Sequence, residues 1–346
     1  MRIGDRPIGL DHPALIVAEI SANHNQDLGL ARETVAAAAR AGADAIKLQT
    51  YTPDTITFPS DAPPFRIHES SAWSGRTLYD IYREGQTPWE WHAELFDYAK
   101  SLGMLAFSSP FDPTAVDFLT DLDVPAYKIA SFEIADIPLI EKCAEVGRPM
   151  IISTGIALLS DIEKAIAACR RAGNDQIVIL KCTSAYPAPI DELNLRTIAD
   201  IRERFGVEVG ISDHTMTQTA CVAAIALGAR VVERHIILSK EIESLDSTFS
   251  TDAQEFAALV SAIREAEIAL GDISYELTPE AVLNRRFGRS LFVVSDVNVG
   301  DEVTLENVRS IRPADGLPPE QFPDVLGRHF RLDARAGTPL TLDLLQ

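Results

Sequence analysis

Residues 149–180 read PMIISTGIALLSDIEKAIAACRRAGNDQIVIL. Pro149-Met-Ile-Ile152 is a short apolar run bounded by turn-forming residues. Residues 159–172 carry apolar positions at helical spacing and stop at Gly173. Ile177-Val-Ile-Leu180 is a second apolar run. A strand buried on both faces is apolar without alternation, as expected for a parallel sheet covered by helices. The stretch is a strand–helix–strand unit.

Working outward, the unit repeats. Further strand-like runs are Ala14-Leu-Ile-Val-Ala-Glu19, Ala45-Ile-Lys-Leu48, Met104-Leu-Ala-Phe107, Ala126-Tyr-Lys-Ile129, Val207-Glu-Val-Gly210 and Val231-Val-Glu233. Helices are predicted over 29–41, 89–101, 113–121, 136–146, 194–205, 217–228 and 252–271. Proline opens some of them, as in Thr87-Pro88 and Asp112-Pro113, and glycine closes most. Eight strands alternating with eight helices predict an α/β fold, a (β/α)8 TIM barrel over residues 1–271. A doubly wound open sheet is the alternative, weakened because no glycine-rich dinucleotide fingerprint follows the first strand. The helical rhythm ends there. Residues 272–286 read as a linker, and 287–346 as a small second domain with short β-like runs, Ser290-Leu-Phe-Val-Val294 and Val308-Arg-Ser-Ile311. A domain so small is expected to depend on packing against something else. The long insertion at 50–88, with Pro53, Pro59, Pro63, Pro64, Trp73 and Tyr79, reads as a lid over an active site.

Against 51 acidic residues stand 31 Lys and Arg, a net charge of −20. Such a surface repels nucleic acid and anionic membrane, so neither is an expected partner. An anionic substrate must then meet a local cluster of positive groups. Cys143, Cys169, Cys182 and Cys221 lack metal-ligand spacing and read as small buried hydrophobes in a reducing compartment. With no signal-like start and no spanning apolar run, the expected location is cytoplasmic.

Catalytic groups of a barrel gather at the carboxyl ends of its strands. Those ends carry Glu19, Lys47 with Gln49, Ser108-Ser109, Lys128 with Ser131 and Glu133, Ser153-Thr154, Lys181 with Thr183, Ser184 and Tyr186, Asp213-His214 and His235. His214 and His235 fall on neighbouring strands and can bind a divalent metal with open positions, or be ordinary hydrogen-bonded histidines. Lys47, Lys128, Ser109, Ser131, Ser153 and Ser184 suit a phosphate and a carboxylate; the alternative is that the lysines pair with Glu19 or Glu133. Glu19, Glu133 and Asp246 are candidate acids or bases. Asn23-His24-Asn25 suits hydroxyl or amide binding, or plain turn formation.

Taken in order, AEISANHNQDL (18–28), GADAIKLQTY (42–51), SSPFD (108–112), YKIASFE (127–133), STG (153–155), KCTSAYP (181–187), VGISDHT (209–215) and GARVVERH (228–235) resemble the sialic acid synthase family. GRSLFV (288–293) and VRSIRPADGL (308–317) resemble the antifreeze-like SAF (β-clip) domain appended to those enzymes. TYTPDTITF (50–58), LYDIYREGQTPWEWH (78–92) and EIESLDSTFS (241–250) are similar to the branch that makes pseudaminic acid. The neuraminate enzymes carry a GPDH-like run where Ser244-Leu-Asp246-Ser stands here. The resemblance implies condensation of phosphoenolpyruvate with 2,4-diacetamido-2,4,6-trideoxy-L-altrose. The alternatives are N-acetylmannosamine or 2,4-diacetamido-2,4,6-trideoxymannose, giving N-acetylneuraminate or legionaminic acid. It implies a divalent metal, Mn2+ with Mg2+ or Co2+ as substitutes, on His214 and His235. Phosphoenolpyruvate falls to Lys47, Ser109, Lys128, Ser131, Ser153 and Ser184. Gln49, Tyr186, Asp246 and Arg312 fall to the sugar, and Glu19, Glu133 and Asp246 to proton transfer. Arg312 would come from a partner subunit, implying a domain-exchanged homodimer.

Overall fold

The computed structural model describes residues 1–67 and 73–346. The chain divides into two compact units, Met1–Gly271 and Asp272–Gln346.

In the first unit eight parallel strands close on themselves: β1 Leu15–Glu19, β2 Ala45–Thr50, β3 Leu105–Pro110, β4 Tyr127–Ile129, β5 Met150–Ser153, β6 Ile177–Cys182, β7 Glu208–Asp213 and β8 Val231–Ile237. Each pairs with the next, and β8 pairs with both β7 and β1, so no barrel strand is left as an edge. Helices follow the strands as α1 Leu28–Arg40, α2 His92–Ser101, α3 Pro113–Asp121, α4 Ile137–Glu145, α5 Leu159–Arg171, α6 Thr197–Phe205, α7 Thr219–Ala226 and α8 Ala253–Leu270. This is the expected TIM barrel.

Local chemistry explains the boundaries. Asp112 caps α3, accepting from the amides of Thr114 at 2.7 Å and Ala115 at 3.2 Å, while Pro113 needs no partner in the first turn. Gly206 ends α6 at φ +63°, where a Cβ would be strained. The central strands are almost wholly buried, and the core runs continuously between sheet and helices. A short strand, β9 Thr251–Asp252, adds in parallel to the exit of β8.

The 50–88 insertion contains the helices Pro53–Ile56 and Leu78–Gly85. Thr77 caps the longer one by accepting from the amide of Asp80. Residues 68–72 of the expected lid lie outside the described residues.

The second unit has its own core of Leu291, Val293, Val303, Val308, Phe330 and Leu340 around an antiparallel pair, β10 Ser290–Val293 and β11 Val308–Ile311. The segment read as linker holds a helix, α9 Pro279–Asn284. Thr278 accepts from Ala281 N at 3.2 Å, and Pro279 sits at the first position, so the Thr-Pro pair is a helix start. Among the described residues no helix is long and apolar enough to cross a membrane.

Candidate active site

A cavity of about 360 Å³ opens at the carboxyl ends of the strands. Lys47, Lys128, His214 and His235 all line it, although they come from β2, β4, the exit of β7 and β8. Strand alternation sends Lys47 and Gln49 to the same face of β2, and Glu233 and His235 to the same face of β8.

The charges interlock. Lys47 Nζ lies 2.5 Å from Glu19 Oε2, 3.2 Å from Ser109 Oγ and 3.9 Å from Glu233 Oε1. Lys128 Nζ lies 3.7 Å from the same Glu233 oxygen and donates to Ile129 O at 3.1 Å. Ser212 Oγ donates to Glu233 at 3.1 Å. Two ammonium groups therefore flank one buried carboxylate, and Glu19 backs the first of them. Burial pushes the Glu19 carboxyl up to about 7, against the pull of Lys47. Burial also disfavours the charged form of Lys47, but Glu19 and Glu233 outweigh it and raise its pKa. For Lys128 burial wins and the pKa falls. Glu233 is held below the usual range because Lys128 and Lys47 outweigh its burial. Lys47 is thus ion-paired with Glu19, as the alternative reading expects, and also faces the cavity.

Glu19 and Ser109 are fully buried and stand behind Lys47, outside the cavity lining. Gln49 Nε2 links Glu19 Oε1 at 3.1 Å to Ser21 Oγ at 2.8 Å, and Ser21 donates to Asp246 Oδ2 at 2.5 Å. This chain ties the first carboxylate to the loop after β8. Burial raises the pKa of Asp246 against the hydrogen bond from Ser21. Glu133 is half-buried, and burial pushes its carboxyl up to about 7, moderated by Lys128.

Among the described residues, four buried polar atoms on this cavity have no partner: Ser153 Oγ, Ser184 Oγ, Glu133 Oε2 and His235 Nδ1. Buried polar atoms are nearly always satisfied, so such a gathering marks a place for a ligand. Gly155 makes room for two serine hydroxyls beside the cavity. A Cβ there would fall 2.0 Å from Ser184 Oγ and 2.8 Å from Ser131 Oγ, while its amide donates to Ser131 Oγ at 3.0 Å.

The two imidazoles face each other at 5.3 Å between ring centres. His214 Nδ1 lies 3.2 Å from the carbonyl of Thr183. A carbonyl only accepts, so Nδ1 carries a proton; whenever the ring is neutral the lone pair lies on Nε2, as a metal-ligating histidine requires. Burial, reinforced by the neighbouring charge of His214, holds His235 well below its usual pKa and so neutral. Its unpartnered Nδ1 sits 4.0 Å from Asp246 Oδ2. The pair fits a divalent cation. Among the described residues no group of three or more His, Cys, Asp or Glu side chains is gathered for a metal. Two imidazoles would therefore leave positions for oxygen ligands.

Behind the histidines a second buried pair joins the strands that carry them. Arg234 on β8 pairs with Asp213 on β7, its register partner, and donates also to the carbonyls of Thr215 and Thr217. Asp213 precedes His214 and Arg234 precedes His235, so the pair fixes both strand exits.

The ring centre of Tyr186 lies 4.5 Å from that of His214 and 4.9 Å from that of Phe249, tilted against both. Over these groups lies the insertion. Trp73 Nε1 donates to Leu245 O at 2.9 Å. Gly85 closes the helix Leu78–Gly85 where a Cβ would lie 3.1 Å from Tyr51 Oη, 3.2 Å from Leu245 Cδ1 and 3.3 Å from Ala22 Cβ. Asn23 and His24 are fully buried. Asn23 Nδ2 donates to Ile236 O at 2.9 Å and Ser250 Oγ at 2.8 Å, so it serves the loop's own structure. Arg312 is exposed on the second unit. All four cysteines are free and buried.

A model of the NeuB family matches residues 34–275. The chain belongs to the NeuB family. Residues 288–346 match the SAF domain. A pseudaminic acid synthase from Helicobacter pylori is 45% identical over 332 residues, covering 96% of this chain and 97% of that protein. An N,N'-diacetyllegionaminic acid synthase from Legionella pneumophila is 34% identical, covering 97% and 96%. The crystal structure of an N-acetylneuraminic acid synthetase from Leptospira borgpetersenii superposes with a TM-score of 0.73 at 27% identity, over 82% of this chain and 94% of that one. The NeuB family comprises nonulosonic acid synthases, transferases that condense phosphoenolpyruvate and generally use a divalent metal. The resemblance read from the sequence is met.

In this NeuB-family chain the sequence reading passed over Glu233, Ser212 and Ser21. The signal for the first two was present. One step of two residues back from His235 gives Glu233, and from His214 gives Ser212, on the same inward face.

Proposed function

We propose that this protein is a pseudaminic acid synthase. It condenses phosphoenolpyruvate with 2,4-diacetamido-2,4,6-trideoxy-L-altrose and water, and releases pseudaminic acid and phosphate with cleavage of the C–O bond. The observation that carries the reading is the meeting of two lysines, two facing histidines and four unpartnered buried polar atoms in one cavity. The choice of sugar rests on identity of 45% to the pseudaminic enzyme against 34% to the legionaminic one.

Lys47 and Lys128 receive the phosphate and carboxylate of phosphoenolpyruvate, with Ser131, Ser153 and Ser184 supplying hydroxyls. Ser109 acts through Lys47, which it helps to hold. Gln49, Tyr186 and Asp246 meet the sugar. When bound between His214 and His235, a divalent cation, manganese with magnesium or cobalt as substitutes, supplies Lewis acidity at the aldehyde oxygen. C3 of phosphoenolpyruvate forms the bond to the aldehyde carbon with its π electrons, and C2 becomes electron-poor. Glu133, when ionised, faces that positive charge across the cavity and stabilises it. Water adds at C2 and gives one proton to a carboxylate, the former aldehyde oxygen takes up a proton to become a hydroxyl, and phosphate leaves with the C2–O electron pair as the C2 hydroxyl gives up its remaining proton and becomes the ketone. Glu19, Glu133 and Asp246 are assigned to this proton traffic. Glu133, raised by burial to about 7, can both accept and donate at neutral pH, and Glu19 acts through the ammonium of Lys47. Arg312 of a partner subunit completes the sugar site in a domain-exchanged homodimer, which works in the cytoplasm.

Phosphate release should be measured with the altro sugar, its manno isomer and N-acetylmannosamine. The reading expects the highest kcat/KM for the altro sugar; preference for either other sugar would replace it. Truncation after residue 280 should leave a folded barrel of little activity, monitored by circular dichroism and phosphate release. Full activity in that fragment would remove Arg312 and the exchanged domain from the site.

A further inference from the structure

The cavity is lined by two kinds of surface from two sources. Its charged side chains, Lys47, Lys128, Glu133, Glu233 and Asp246, come from the strands and from loops outside the insertion. Among the described residues of 50–88, none that lines it is charged: Ile56, Ile67, Leu78 and Ile81 are aliphatic, and Tyr51, Trp73 and Tyr82 are aromatic. Leu245, carrying the carbonyl that Trp73 grips, joins them. Leu78 and Ile81 lie one helical turn apart and share a face. Ile81 is 8% exposed.

Substrate geometry assigns an occupant to this apolar surface. The aldehyde carbon must lie among the lysines and histidines, where the new bond forms. C6 is at the far end of the sugar chain and so reaches away from the strand ends, toward the insertion. We infer that Ile81 is a specificity-determining residue which, with Leu78 and Leu245, receives the C6 methyl of the sugar and disfavours a hydroxyl there. The inference rests on the proposed reading of the substrate. A hydroxyl at C6 would lose its water and find aliphatic side chains instead. Discrimination of this kind reaches about 10²-fold.

The test compares kcat/KM for 2,4-diacetamido-2,4,6-trideoxy-L-altrose and for its 6-hydroxy counterpart. Wild type should favour the deoxy sugar. Ile81→Thr, which replaces the ethyl group by a hydroxyl and matches the volume of the Ile81→Val control, should lower the ratio about tenfold. Ile81→Val, which trims without adding polarity, should keep it. Leu78→Gln provides a second polar variant should Ile81→Thr fail to fold, and it should lower the ratio in the same direction. A ratio unchanged in the folded polar variants, or lowered equally by Ile81→Val, overturns the inference. Equal turnover of both sugars by wild type overturns it while leaving the pseudaminic reading intact. No turnover of the deoxy sugar sinks that reading and takes this inference with it.

Discussion

The strand ends of the barrel and the 50–88 insertion line one cavity with opposite materials. The strand ends bring Lys47, Lys128 and Glu233, each already engaged with an opposite charge within 4.0 Å. The insertion brings Ile56, Leu78 and Ile81. The difference follows from support. A buried charge is tolerable only where partners are held in place, and a closed sheet of eight strands holds them. The insertion is built on helices of four and eight residues outside the sheet, which cannot preorganise a buried ion pair but can present apolar surface. Chemistry therefore sits on the rigid part and selectivity on the replaceable part. Substitutions below should decide whether the reaction runs; substitutions above should decide which sugar it uses.

The largest effect is expected at His235. On the proposed reading, in which His235 holds the cation, His235→Ala should reduce metal-dependent phosphate release on the order of 10³-fold or more, because several kcal/mol of Lewis-acid stabilisation would go with it. Circular dichroism should show the fold retained, and calorimetry a weakened affinity for manganese. Normal activity in the presence of a chelator would break the contrast at its base.

Next comes the pair behind the histidines. Arg234→Met should destabilise the barrel by about 3–5 kcal/mol, since it leaves Asp213 buried without its partner. Adding Asp213→Leu should restore much of that loss in urea denaturation. Lack of recovery in the double variant would mean that the other hydrogen bonds of the two side chains, from Arg234 to the carbonyls of Thr215 and Thr217 and to Asp213 from Thr215 and Cys221, outweigh the pair itself.

A smaller, pH-dependent effect belongs to Glu133. Its carboxyl is raised by burial from 4.5 to about 7, so the folded protein keeps a proton that the unfolded chain has lost. Stability contributed at this position is full at low pH and is lost as pH rises from about 4.5 through 7. Glu133→Gln has no such loss. It should therefore be more stable above pH 7 by at most about 3 kcal/mol and no different below pH 4.5. Urea titrations at the two pH extremes check the sign. The same substitution should remove a titration near 7 from the pH profile of kcat/KM. The Ile81→Thr ratio stands last in size, and it is the one measurement that should move selectivity without stopping turnover.

The barrel was legible because each strand is a short apolar run and most helices end on glycine; observed strands differ from the reading mainly in running further toward the site. β2 continues through Gln49 to Thr50 and β7 through Asp213. Polarity at those ends hid their strand character. Lys47, Lys128, His214 and His235 were legible as strand-end groups. What sequence position could not settle was depth. Glu19, paired in register with both Lys47 and His235, faces them across the sheet but stops short of the cavity wall. Glu233 went unnoticed because it sits inside an apolar strand, where only the two-residue alternation marks it. The helix Leu78–Gly85 was hidden by its setting in a proline-rich insertion, although Thr77 and Asp80 form its cap.

At position 85 a single hydrogen stands where Tyr51, Leu245 and Ala22 leave no comfortable space for a methyl. The smallest side chain with a carbon would act there as a doorstop, propping the insertion away from the barrel. The seating of the insertion on the barrel thus depends in part on a side chain of one hydrogen, and a single added carbon there should be enough to unseat it.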